Sequence, residues 1–100
     1  MKIWVAQLER FDTEYMAFGT TQKEAADLML AEYKRLYMSY NGGENPDLVG
    51  YNDEYYDEDD KVWYDYYGDE VARKDVTTRT ELAKEEMNVY QVEIGKVYTI

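Results

Sequence analysis

Residues 21–43, TQKEAADLMLAEYKRLYMSYNGG, decide the fold. Thr21 followed by Glu24 is a capping-box pattern, in which the hydroxyl takes an N3 amide and the carboxylate reaches back. Ala25, Leu28, Met29, Glu32, Tyr33, Leu36, Tyr37 and Tyr40 then recur at i, i+3, i+4, i+7 spacing, and all but Glu32 are apolar or aromatic. A helix over 22–40 therefore turns one stripe toward a core. Tyr33, Tyr37 and Tyr40 fall on that stripe and are read as core or core-margin residues. Asn41-Gly42-Gly43 stops the helix, with Gly42 suited to the left-handed position beyond its end. Lys34 and Arg35 suit the negative end of the helix dipole.

On the N-terminal side, residues 2–9, KIWVAQLE, read as a strand. Ile3 and Val5 fall on one face and Trp4, Ala6 and Leu8 on the other, and apolar character on both faces suits a central strand. Phe11-Asp12-Thr13-Glu14 supplies turn chemistry, and Tyr15–Phe18 a second short strand, so an antiparallel hairpin is expected. On the C-terminal side, residues 41–61 carry Gly42, Gly43, Pro46 and Gly50 and no helical or strand period, which reads as a long loop. Val62–Tyr67, VWYDYY, reads as a strand that closes a hairpin over that loop and ends at Gly68. Thr78 followed by Glu81 is a second capping-box pattern, opening a short helix over about 79–87. Residues 88–100 are β-rich through Val89, Tyr90, Val92, Ile94, Val97, Tyr98 and Ile100, with Gly95 marking a bulge or bend. This order predicts an α+β fold: a small antiparallel sheet packed on one main amphipathic helix, with a long acidic loop or hairpin.

One hundred residues suit a single domain spanning 1–100 with one small core. The absence of cysteine and histidine removes disulfides, thiolate metal sites, the Cys nucleophile and the commonest general base. No apolar run approaches the roughly 18–20 residues of a membrane span, and Met1-Lys2-Ile3-Trp4 opens no signal peptide. A cytoplasmic location is the expectation. The net charge of −11 opposes nucleic acid and anionic membrane and favours a basic protein partner.

That charge is local. Eleven of the 22 acids lie between Glu44 and Glu70, opposed only by Lys61, while the flanks hold 11 acids against 10 bases. Tyr51, Tyr55, Tyr56, Trp63, Tyr64, Tyr66 and Tyr67 are interleaved with them. A disordered solubilising segment is poor in aromatics, so this mixture points to a binding surface. Carboxylates would stand where phosphates stand, and rings where bases stand. Fully extended, the segment would span roughly 90 Å and space its net charges about 9 Å apart, against about 3.4 Å along a single DNA strand. Mimicry therefore requires the segment to fold back on itself. The expected partner-binding set is Asp53, Glu54, Asp57, Glu58, Asp59, Asp60 and Asp65, with Tyr55, Tyr56, Trp63 and Tyr64 as anchors.

Competing chemistries fit less well. An EF-hand loop needs acids at alternating positions and glycine at the sixth. Starting at Asp53 puts Tyr55 third, and starting at Asp57 puts Lys61 fifth and Val62 sixth, so no metal site is expected. Paired carboxylates could do acid–base work, but none sits on a scaffold with a cleft. Ser39 is the only serine and has no histidine to activate it. Asn41-Gly42-Gly43 lacks the lysine and strand-loop-helix setting of a phosphate loop. No catalytic residue and no cofactor is expected. Lys61, Arg73, Lys74 and Arg79 are scattered and read as offsets to local acids.

The chain resembles, as a class, the small acidic proteins that bacteriophages and mobile elements direct against host defences: anti-restriction DNA mimics, anti-CRISPR inhibitors and uracil-DNA glycosylase inhibitors. The resemblance rests on a cysteine-free chain of this size, its low pI, and the Asp/Glu run with tyrosines between Tyr51 and Glu70. It implies a non-enzymatic inhibitor occupying the basic nucleic-acid groove of a host enzyme. The alternative is a self-assembling module with a tyrosine-rich interface, in which the acids only solubilise; a homodimer is compatible with either.

Overall fold

The helix read from residues 21–43 is present as α1, Gln22–Tyr40. The computed structural model describes residues 1–95. The fold is α+β, with two three-stranded antiparallel sheets, α1 and a shorter helix. Contacts group the chain into two units. One is Met1–Glu32 with the chain from Glu86 onward, the other Tyr33–Glu85, and the boundary falls inside α1.

In the first unit, β1 (Lys2–Arg10) is the central strand expected from its two apolar faces. It lies between β2 (Thr13–Gly19) and β6 (Asn88–Glu93). The hairpin is tighter than the sequence suggested: Arg10 pairs with Thr13, leaving Phe11 and Asp12 as the whole loop. Both have positive φ, 55° and 58°, the pattern of the turn whose twist matches the flanking strands. Register places Trp4, Ala6 and Leu8 on one face with Gly19, Ala17 and Tyr15. That face meets α1, because a Cβ on Gly19 would lie 2.7 Å from the Ala25 backbone nitrogen. On that face Ala6, Leu8, Ala25 and Met29 form the core of this unit, and Val5 is buried on the opposite face. Thr21 Oγ1 accepts from Glu24 N at 3.1 Å, but the Glu24 carboxylate turns to Thr20, so only half of the predicted capping box closes. The bend at Gly95 is present, with φ of 94°. Val97, Tyr98 and Ile100 lie outside the described residues.

In the second unit, Tyr33 and Tyr37 are buried as expected, with ring centroids 6.0 Å apart. Tyr40 and Leu28 are exposed; the buried row narrows to the i, i+4 series Ala25, Met29, Tyr33, Tyr37. Gly42 and Gly43 both take positive φ, and Gly43 N donates to Met38 O, closing the helix as predicted. Lys34 does not serve the helix end; it pairs with Asp47 at 2.8 Å.

The segment 41–61 is not one long loop. Pro46–Leu48 forms a 3-10 turn capped by the Asn45 side chain. Val49 and Gly50 bridge to Tyr55 and Thr78, and Tyr55–Asp57 is strand β3. The following strand, β4, covers only Val62–Tyr64, since a turn at Asp65–Gly68 ends it before Tyr67. Glu70–Val71, β5, completes the sheet in the order β3-β4-β5. The second helix, α2, runs Arg79–Glu86. Its capping box closes fully: Glu81 N donates to Thr78 Oγ1 at 3.0 Å and Thr78 N to Glu81 Oε1 at 3.1 Å.

Candidate acidic interface

Period-2 alternation sorts the aromatics of the small sheet. Tyr55 pairs with Tyr64, and Tyr64 with Glu70; one row further, Tyr56 pairs with Trp63, and Trp63 with Val71. Directly opposed residues share a face and neighbours alternate. The four expected anchors therefore divide. Tyr55 and Tyr64 form a pair 5.5 Å apart on the outer face, with Asp57 and Glu70. Tyr56 and Trp63, also 5.5 Å apart, point inward. Trp63 is buried and carries the Arg73 guanidinium on its ring at 5.6 Å, so it is a core residue, not an anchor. Arg73 is also bound to Glu81 at 2.6 Å and donates to Val76 O.

The carboxylates divide too. Glu54 is buried at 7% exposure, and its Oε1 accepts from Asn52 N at 2.9 Å. A Cβ at position 50 would lie 2.2 Å from that oxygen, so glycine there makes room for the carboxylate. Glu54 is thus an internal brace and leaves the expected binding set. Asp57 Oδ1 accepts from Asp59 N and Asp60 N at 2.9 and 3.0 Å. Asp65 Oδ1 accepts from Tyr67 N and Asp69 N, both at 2.9 Å. Each is an Asx cap holding its own turn. Asp53, at positive φ, pairs with Arg79 at 3.1 Å. Outward, with side-chain carboxylates that make no hydrogen bond or ion pair among the described residues, are Glu58, Asp59, Asp69 and Glu70. Asp60 joins them, within 3.4 Å of the Tyr64 hydroxyl. Burial and that carboxylate push the Tyr64 phenol up.

The hairpin sets these charges close. Asp57 lies opposite Val62, so Glu58, Asp59, Asp60 and Lys61 form the tip, with Lys61 at φ 57°. The tip spans one interstrand gap, about 4.8 Å. Glu44, Asp53, Tyr55, Tyr66, Tyr37 and Arg79 line a concavity of about 530 Å³. Burial and a 2.6 Å hydrogen bond to Glu44 push the Tyr37 phenol up to about 12. Asp47 is held below the ordinary carboxylate range: burial opposes its ionisation, and the hydrogen bonds and charge of its partners, Lys34 first, together outweigh it. Glu81 is held low by the Thr78 amide and by Arg73.

Two residues outside the expected binding set are the most exposed aromatics among the described residues: Tyr66 and Tyr67, at 70% and 86% exposure. The Asp65-x-x-Gly68 turn signal around them was the clue. Among the described residues no cluster of acids is arranged to hold a metal ion, and no helix is long and apolar enough to cross a membrane. The fold and surface define an α+β protein with an acidic, tyrosine-bearing face. No family model, curated protein or solved structure matches the chain.

Proposed function

We propose that this chain is a non-enzymatic inhibitor, acting in the cytoplasm, that occupies the basic nucleic-acid-binding groove of a host enzyme such as a CRISPR effector. The observation that carries the reading is the β3–β4 hairpin. It folds the acidic segment back on itself and puts Glu58, Asp59 and Asp60 at one tip beside the outward Tyr55–Tyr64 pair. Carboxylates substitute for phosphates there, and the phenol rings meet surfaces that accept bases. Asp57 and Asp65 position the turns; Glu58, Asp59, Asp60, Asp69 and Glu70 face the partner.

The test uses the whole chain as bait for bacterial nucleic-acid enzymes, with a variant in which Glu58, Asp59, Asp69 and Glu70 become lysine. That variant spares both Asx caps. The expected outcome is capture of an enzyme that elutes with salt, is displaced by its own nucleic acid, and ignores the variant. Salt-indifferent capture, or equal capture by the variant, refutes the proposal.

Self-assembly is the second reading, favoured by exposed Met16 and Phe18 on β2. It predicts a mass by light scattering that rises with concentration and does not respond to salt.

A further inference from the structure

Tyr66 and Tyr67 are the most exposed aromatic rings among the described residues. Aromatic area left in water on a rigid element marks contact with something else. The element here is rigid. Asp65 Oδ1 binds two amides, Gly68 N donates to Asp65 O at 3.0 Å, Asp65 N donates to Asp69 O at 2.8 Å, and Gly68 supplies the positive φ of 87°. The rings stand edge to face, 5.3 Å apart at 87°, which leaves most of their faces uncovered by each other. Asp69 and Glu70 follow immediately, exposed and without an ion pair among the described residues.

We infer that the Tyr66–Tyr67 turn reads arginine: its rings take guanidinium groups of the basic partner, with Asp69 and Glu70 as counter-charges. This rests on the basic-partner reading above and names the chemistry at one point of it. A guanidinium is planar and weakly hydrated, stacks on an aromatic face and still presents its edge to a carboxylate, whereas an ammonium is a hydrated point charge. The chain contains the same arrangement internally, where Arg73 lies over Trp63 while its Nη2 binds Glu81. Tyr66 also lines the concavity that holds Tyr55 and Glu44, so a side chain stacked on it has room to enter. The braced turn requires little ordering on binding.

The experiment titrates the whole protein with oligoarginine and oligolysine peptides of equal length at low salt, by calorimetry. Oligoarginine should bind roughly fivefold to tenfold more tightly. The preference should vanish in Tyr66→Ala/Tyr67→Ala and persist in Tyr66→Phe/Tyr67→Phe, which keeps the rings. Circular dichroism checks that the sheet survives. Equal affinities for the two peptides, or a preference that survives the alanine variant, overturn the inference and leave the charge-based reading standing. Failure of both peptides to bind removes that reading and the inference together.

Discussion

Both sheets are three-stranded and antiparallel, and they differ in strand order and in what holds them. In β2-β1-β6 the central strand is nine residues long, pairs over seven residues with β2 and six with β6, and turns through two residues. Backbone ladders do the work, and the surrounding sequence is nearly charge-neutral. In β3-β4-β5 the strands are three, three and two residues long. So few ladder bonds need side chains to fix the turns: Asp57 and Asp65 cap two of them, Glu54 braces the bend at Gly50, and Thr78 with Glu81 closes the next helix. An acidic run can therefore be scaffold and surface at once, and only position in the turn tells which.

The contrast breaks first at Trp63. Truncation to alanine removes the ring under Arg73 and between the inward side chains, and should cost about 3–5 kcal/mol. Amide exchange in residues 55–71 should accelerate most; protection lost equally in β1 would mean the two sheets unfold together.

The glycines sharpen it. Gly19→Ala drives a methyl against the α1 backbone, which cannot swing away, and should destabilise by about 1–3 kcal/mol. Gly50→Ala meets a carboxylate that can rotate, so denaturant midpoints should show the smaller loss there, unless Glu54 has no alternative position.

Tyr37 gives a pH test. Its folded pKa lies above the ordinary 10, so its contribution is complete below pH 10 and is lost as pH rises toward about 12. With solvent near the hydroxyl allowed for, the effect is on the order of 1–2 kcal/mol. The wild-type stability curve should fall more steeply across that window than that of Tyr37→Phe. Parallel curves would sever the phenol from stability. Asp47 and Glu81 have the opposite sign: their contributions hold above their ordinary values of 3.8 and 4.5 and fade as pH drops through their lowered values.

Smallest are the caps. Thr78→Ala opens a complete box and should cost about 1 kcal/mol; Thr21→Ala opens half of one and should cost less. Thermal melts that rank them the other way would contradict the geometry.

The first sheet and both helices were legible because their signals are local and redundant. Thr21 and Gly42 bound α1, Thr78 and Glu81 open α2, and the apolar faces of Ile3–Leu8 announce a central strand. Strands β3 and β5 were not legible, since three and two residues carry too little periodicity to stand out from acids and glycines. The binding surface was half legible. Its charge and aromatic content are compositional, but Glu54 and Trp63 face inward for reasons of register and of a glycine four residues upstream of the glutamate. Alternation across Tyr55–Asp57 and Val62–Tyr64 would have separated inward from outward rings had β3 been recognised.

The Asx caps carry a consequence for which substitutions the chain tolerates. At Asp57 and Asp65 the carboxylate must sit one methylene from the backbone to reach the amides two to four residues ahead. Glutamate there keeps the charge and misplaces the oxygen. At Glu58, Asp59, Asp69 and Glu70 only the charge is used, and aspartate and glutamate are interchangeable. A saturation library selected for folding should thus fix Asp57, Asp65 and the buried Glu54 and let the outward acids drift, so that what reads as one undifferentiated tract of acid has a spelling as well as a charge.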